Sequence, residues 1–447
     1  MVKSLPYKLT KGQADVCNLF STKMKEGRRI NALVQGDVGT GKTMVAFIAM
    51  FMMADNGYQS VLMAPTFVLA TQHYKQLSDL ASEYGYKVAF LGGKQKASEK
   101  KKILAGIASG EYTFIVGTHG VFSESVDYHD LALVVTDEEH RFGVLQRDEV
   151  AKKADRGVHT ITMSATPIPR TVASVLYGDT LEICTIKDKP AGRKEIKTQV
   201  YNNQDGICKF MEMQIKEGRQ AYVICPLIEK AEKGSKMEKI DSVEEVCKTY
   251  SEYFKDTLVE KSGEMVPVKA SVLTGSTPVD EANEIMQKFQ DGDIDILVAT
   301  TVVEVGVNVP NASLIVVHNA ERFGMAALHQ LRGRVGRGSY QSYCILKSSC
   351  IDPASDDKDA KERLETLAKT DDGYEVALAD LRNRGTGDLV GTEQSGNNQF
   401  IDLILKNRVL YEKIRKDAGV LCDNGTEDEY IKLFKDQYDY QLTEEAS

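Results

Sequence analysis

Several absences narrow the reading of this chain. It has no tryptophan, and no set of short strands with exposed aromatics of the kind an OB-like nucleic-acid-binding barrel carries. No apolar stretch reaches the roughly 18 residues needed to span a bilayer. The start, Met1 to Tyr7, has no apolar core of signal-peptide length, so neither membrane insertion nor secretion is expected. None of the eight cysteines belongs to a C-x-x-C pair, which excludes a zinc ribbon and a dithiol redox centre. Dispersed in this way, they read as reduced thiols of a cytoplasmic protein. A basic excess is lacking too. With 56 Lys and Arg against 65 Asp and Glu, the formal charge is −9. That argues against wholesale polyanion binding but permits a local basic groove, because the field near a cleft is set by nearby charge.

What is present is an ordinary globular balance, 42% hydrophobic and 27% charged over 447 residues, enough for two or three domains. Short β-branched runs alternate with longer helical patterns. Ala32–Gln35, Ser60–Ala64, Thr113–Gly117, Leu131–Thr136 and Thr160–Ser164 read as buried strands, and Lys42–Asp55 and Thr66–Tyr84 as helices. Alternation of this kind predicts a parallel sheet covered on both faces. A connector near Lys187–Lys197 breaks both periodicities. The alternation then restarts with Gln220–Pro226, Val268–Leu273, Ile294–Ala299, Ser313–Val317 and Ser342–Leu346. Within the second half, Glu229–Pro267 is rich in Lys and Glu, and Val243–Phe254 has the pattern of an amphipathic surface helix. From Asp352 onward the chain reads as helical and highly charged, with a Gly-rich interruption at Arg384–Gly396. The expected domains are 1–190, 191–350 and 351–447.

Three elements carry chemistry. Gly36-Asp37-Val38-Gly39-Thr40-Gly41-Lys42-Thr43 matches G-x-x-x-x-G-K-[ST] between a strand and a helix. That is where backbone N–H groups curl around phosphate oxygens, Lys42 reaches the β and γ phosphates, and Thr43 ligates Mg²⁺. The strand Leu131–Thr136 ends in Asp137-Glu138-Glu139-His140. An aspartate there can hold Mg²⁺ through water, and Glu138 is placed to polarise the attacking water. Alone, two acids at a strand end could merely cap a helix; after a phosphate loop they read as a nucleotide site. Gln330–Gly338 packs Arg332, Arg334 and Arg337 into a glycine-broken segment. Arg334 and Arg337 are candidate arginine fingers, and the bland reading is a basic patch on DNA phosphates.

The ensemble resembles the motor of a superfamily 2 helicase, and specifically the RecG family, from about Leu9 to Gly396. Leu9-Thr10-Lys11-Gly12-Gln13 is similar to the family's adenine-contacting element, with Gln13 as the reader. Pro65-Thr66, Thr118-His119 and Ser164-Ala165-Thr166 match motifs Ia, Ib and III. Ala299-Thr300-Thr301 through Gly306 resembles motif V, and His329–Gly338 motif VI. Asp380–Gly396, containing Arg384-Gly385-Thr386-Gly387, resembles the translocation motif shared by RecG and Mfd; without that likeness it reads equally as a helix cap and turn.

The resemblance implies an α/β fold of two tandem RecA-like P-loop NTPase lobes with parallel sheets, followed by a helical translocation-motif region. It implies ATP and Mg²⁺ as cofactors. Gln13, Gly36, Gly39, Thr40, Gly41, Lys42, Thr43, Gly306 and Gln330 then bind nucleotide. Pro65, Thr66, Thr118, His119, Ser164, Thr166, Thr300, Thr301, Arg384, Gly385 and Gly387 contact or couple to DNA, duplex or branched. The chain is expected to act as a monomer. The family's junction-splitting wedge has no counterpart in the few residues before Leu9. A natural motor-only relative, a split gene whose wedge is encoded elsewhere as a separate wedge-like domain or partner protein, and a truncated sequence are the alternatives; the motor alone is expected to keep ATP turnover and backbone contacts and to lose junction preference. Three departures stand out: Asn308 where the family usually has Asp, Glu393 where it has a basic residue, and Phe67 where close relatives often have an acid. An RNA helicase and an ATP-dependent switch that does not translocate are the competing readings.

Overall fold

In the computed structural model, the residues described are 1–137 without 6, 94, 95 and 124; 157–164; 181–188; 194–226; 242–300 without 262; 309–379 without 337, 339, 353, 354, 356, 371, 374, 377 and 378; and 413–421 without 415 and 419.

The first lobe is a seven-stranded sheet of order β3-β4-β2-β5-β6-β1-β7, parallel at every pairing. Its strands are β1 (Asn31–Gly36), β2 (Gln59–Met63), β3 (Val88–Leu91), β4 (Phe114–Gly117), β5 (Leu131–Asp137), β6 (His159–Ser164) and β7 (Glu182–Ile186). The described helices are α1 (Lys11–Lys25), α2 (Lys42–Ala54), α3 (Phe67–Ser82) and α4 (Ala97–Ala108). The central strands are continuous apolar runs because both faces are covered. On one face α2 buries Val45, Phe47, Ile48 and Met50 against Val34, Leu62 and Val135. On the other, α4 adds Ile107 to a cluster with Val61, Ile115 and Val134.

The second lobe is a six-stranded parallel sheet, β12-β13-β9-β14-β15-β8. It comprises β8 (Lys197–Tyr201), β9 (Gln220–Ile224), β12 (Ala270–Leu273), β13 (Ile296–Ala299), β14 (Ala312–Val317) and β15 (Tyr343–Lys347), with a separate antiparallel hairpin of β10 (Leu258–Lys261) and β11 (Glu264–Pro267). Helices α5 (Gln204–Lys216), α6 (Val243–Phe254), α7 (Val279–Gln290), α8 (Met325–Arg332) and α9 (Lys358–Lys369) surround it. The segment expected to be an amphipathic surface helix is α6. Ser242 and Glu245 close a capping box at its start, and Val243, Val246, Tyr250 and Phe254 form its buried stripe. Helix α9 packs Ala360, Leu364 and Leu367 into the second-lobe core.

Two tandem parallel-sheet lobes thus stand as the sequence suggested. A second structural unit comprises 169–179 with 381–447; its described residues, within 413–421, are helical. No described helix is long and apolar enough to cross a membrane.

Candidate nucleotide site and nucleic-acid interface

β1 runs directly into the glycine-rich turn, and α2 leaves it. The turn is left-handed at Gly39 and Gly41, with φ of 82° and 78°, a region costly to any residue with a Cβ. At Gly41 a Cβ would also strike the Gln13 amide. Gly41 is the N-cap of α2 and offers no side-chain cap, so the positive end of the helix faces the loop without a competing side-chain acceptor. Lys42 curls back, its Nζ donating to the carbonyls of Gly36 (2.6 Å) and Asp37 (3.1 Å). Thr40 Oγ1 donates to the Asp37 carbonyl at 2.9 Å. Thr43 sits half-buried in the first turn of α2.

Gln13 is committed to this loop. Its Nε2 donates to the Thr40 carbonyl at 2.8 Å, and its Oε1 accepts the Thr10 N–H at 3.0 Å, closing the capping box of α1. The residue expected to read adenine therefore also ties α1 to the phosphate loop.

Asp137 ends β5 with 9% of its surface exposed. In the sheet, β6 separates β5 from β1, so Asp137 and the phosphate loop lie at one carboxyl edge, two strand spacings or about 10 Å apart. Ser164 ends β6 between them, paired with Gln35 of β1 one residue beyond the Met163–Asp137 pair. His73 of α3 touches Asp137, Nε2 to Oδ2 at 2.8 Å, and is itself buried. An ionised carboxylate only accepts, so Nε2 carries the proton; Nδ1 has no partner among the described residues.

From the second lobe, α8 brings His329, Gln330 and Arg332, and Arg334 follows it, 9% exposed. Of the arginines in this segment, Arg332 is 2% exposed and bonds to the carbonyls of Leu367 and Thr370. That makes Arg332 a structural anchor. His329 reaches Asp37 of the phosphate loop, Nε2 to Oδ1 at 2.8 Å.

The residues expected to touch nucleic acid occupy strand ends. Pro65 and Thr66 follow β2, and Thr66 caps α3 by accepting the Leu69 N–H at 3.4 Å, which leaves its O–H to donate. Thr118 and His119 follow β4; the Thr118 N–H bonds to the Leu91 carbonyl at 3.2 Å. Thr300 follows β13, its buried Oγ1 without a hydrogen-bond partner among the described residues. Phe67 packs edge-on against Phe90 at 5.6 Å, which gives the aromatic a packing role. Glu138, Thr166, Thr301, Gly306, Asn308, Arg337, Arg384, Gly385, Gly387 and Glu393 lie outside the described residues.

Residues 10–175 match the DEAD/DEAH box helicase family and 203–339 the helicase conserved C-terminal domain. The chain is 42% identical over 439 residues to the ATP-dependent DNA helicase RecG of Bacillus subtilis, covering 97% of this chain and 61% of that protein. It is 40% identical over 415 residues to RecG of Mycobacterium tuberculosis, covering 89% and 55%. Over nearly its whole length this chain is similar to the RecG helicases. It spans about three fifths of the length of these relatives. RecG bound to a three-way DNA junction superposes with a TM-score of 0.71 at 35% identity, over 90% of this chain and 51% of that one. The DEAD-box helicase Mss116 shares the fold, with a TM-score of 0.61 at 16% identity, over 92% of this chain and 84% of that one.

Against the RecG motifs, the sequence reading missed two partners. His73 had a signal: it interrupts the apolar stripe Leu69, Ala70, Leu77 and Ala81 of α3 with a polar ring. The Asp37–His329 contact had none, because its members are 292 positions apart.

Proposed function

We propose that the chain is an ATP-driven motor that moves along DNA, duplex or branched, with Mg²⁺ as metal partner. One arrangement carries this reading: an uncapped helix behind a glycine-rich loop, with an acid two strands away at the same sheet edge. The hydroxyl of Thr43 and the carboxylate of Asp137 are the hard oxygen donors Mg²⁺ takes. Bound ATP supplies the transferable phosphoryl group. Gly36, Gly39, Thr40 and Gly41 offer backbone N–H groups to its phosphates, and Lys42 adds a positive charge. Glu138 orients and polarises the attacking water. Arg334 and Arg337 stabilise charge on the transferring group from the second lobe. Gly306 and Gln330 contribute to nucleotide binding, and Gln13 has a second amide N–H to offer the base.

Thr66, Thr118, His119, Thr300 and Thr301 donate to the DNA backbone, with Pro65 shaping the loop that carries Thr66, without reading bases, as a translocating motor requires. Ser164 and Thr166 link that groove to the nucleotide site, and Arg384, Gly385 and Gly387 belong to the helical translocation region at 351–447. The chain acts as a monomer. A wedge-like domain or a partner protein supplies branch recognition to this motor.

The test is steady-state Mg²⁺-ATPase without nucleic acid and with single-stranded DNA, linear duplex, a fork or RNA. Stimulation by duplex or fork is expected. Lys42→Ala and Glu138→Gln should each reduce turnover to background, and Glu138→Gln should still bind ATP. RNA stimulation exceeding DNA stimulation would make the chain an RNA helicase. Good ATP binding with no stimulation by any nucleic acid would make it an ATP-dependent switch.

A further inference from the structure

One chain of hydrogen bonds crosses from the second lobe to the phosphate loop, and its protonation pattern is dictated by chemistry. Arg332 is buried, with Nη1 donating to the carbonyls of Leu367 (2.8 Å) and Thr370 (2.7 Å) at the end of α9. Those are carbonyls at a helix C-terminus, where a fixed cation is favoured. Its Nη2 lies 2.8 Å from His329 Nδ1. A guanidinium has only donors, so Nδ1 must be the acceptor and the ring proton must sit on Nε2. That Nε2–H faces Asp37 Oδ1 at 2.8 Å. Asp37 Oδ1 also accepts the Val38 N–H at 2.7 Å, which fixes the carboxylate to the loop that bears it. Beside this strut the lobes touch closely. A Cβ at Gly333 would lie 2.9 Å from the Val38 side chain across the lobes, and, within the second lobe, one at Gly373 would lie 2.7 Å from His329 Nε2.

We infer that His329 is a positioning residue, held as its Nε2–H tautomer by Arg332, that sets the distance between the phosphate loop and Arg334 by gripping Asp37. The inference rests on the proposed ATPase and names a residue that neither binds phosphate nor donates to it. His329 lies five positions before Arg334, on the helix that leads to it. The grip is a neutral N–H donating to a carboxylate, so its requirement at position 37 is an acceptor and not a charge.

The experiment has two arms. Long-range ¹H–¹⁵N spectra of the imidazole-labelled full chain, with His329 assigned by its loss in His329→Gln, read the tautomer among seven histidines. The Nε2–H form is expected; an Nδ1–H or doubly protonated ring overturns the inference. In the second arm, kcat and KM for ATP are measured with saturating duplex. His329→Ala and Asp37→Ala should each lower kcat about 10²-fold, the loss that small misplacement of a reacting group brings, with KM changed much less. The double variant should be no worse than either single one. Asp37→Asn, whose carbonyl still accepts the Nε2–H, should lose far less than Asp37→Ala. Additive losses, an Asn variant as poor as Ala, or an unchanged kcat would each overturn it. If His329→Ala fails to fold, Gly373→Ala, which crowds Nε2 and leaves both partners in place, must lower kcat in the same way. Should the unsubstituted chain hydrolyse no ATP, the functional proposal falls while the tautomer still decides the strut.

Discussion

Without β7, the two sheets have one strand order. β3-β4-β2-β5-β6-β1 in the first lobe corresponds to β12-β13-β9-β14-β15-β8 in the second. The matched strands β1 and β8 nevertheless lead to opposite outcomes. β1 is flanked on both sides, by β6 and β7, and is almost wholly buried. It ends in a glycine loop, and α2 follows without a side-chain cap. β8 is an edge strand with no fully buried residue. It ends in Asn202-Asn203, and the Asn203 side chain accepts the Gly206 N–H at 3.0 Å, capping α5 itself. A helix start that is already capped has less to offer a phosphate. On one scaffold, the first lobe leaves this helix end without a side-chain cap and the second closes it. The strands β5 and β14 differ in the same sense: one ends in Asp137, and the other leads into a buried His318 that bonds to Tyr250 at 3.1 Å.

The contrast can be broken on either side. The largest effect is expected at His73. Removing a group that orients a metal-binding carboxylate costs about 10–100-fold in metal affinity. With Asp137 holding Mg²⁺ as proposed, His73→Ala should weaken Mg²⁺-dependent nucleotide binding to that extent, read by titrating Mg²⁺ against a fluorescent ATP analogue. An unchanged Mg²⁺ dependence would show that Asp137 holds its place without the histidine.

The second effect separates the lobes by acid. Burial, aided by the charge of Lys347, pushes His318 down to about 3. Below its ordinary value near 6.5, the unfolded chain takes up a proton that the folded lobe refuses, so stability falls as pH falls from about 6.5 towards 3. By pH 5 the loss is about 2 kcal/mol. His318→Gln should flatten the difference between denaturant midpoints at pH 7 and pH 5, and an undiminished difference would assign the acid loss to other groups. The smallest effect belongs to the cap. Asn203→Ala should cost the second lobe about 1 kcal/mol in chemical denaturation while leaving ATP turnover per folded molecule intact. A turnover loss would mean that α5 reports to the nucleotide after all.

The interior of both sheets was legible in the sequence because doubly covered strands are uninterrupted apolar runs. Each expected strand matches an observed one to within a few residues. The strands that escaped notice are β3, β7 and β8, which lie at sheet edges, and the hairpin of β10 and β11. Edge strands bury only part of their side chains, as the alternation along β3 and the exposure of β8 show, and so lack the apolar signature. β8 begins inside the segment taken for a connector, and the hairpin lies in the Lys- and Glu-rich stretch. The phosphate loop and Asp137 were readable because their residues are contiguous and sit between predictable elements. His73 and Asp137 are 64 positions apart, and only the packing of α3 against the sheet joins them. Gln13 was readable as a site residue, but its bond to Thr40 was not, because nothing in a sequence reports which carbonyl a side-chain amide meets.

The cysteines give the molecule a clock of its own. Six of the seven described thiols are buried and none of the seven is in a disulfide, and burial pushes Cys17 up to about 11 and Cys184 up to about 12. Only the thiolate is nucleophilic, so alkylation near neutral pH has to wait for a lobe to open. Cys17 and Cys184 belong to the core of the first lobe, and Cys208, Cys225, Cys344 and Cys350 to that of the second. A timed alkylating pulse followed by peptide mass analysis thus reports, from one unmodified chain, which lobe opens first and whether nucleotide slows one lobe or both.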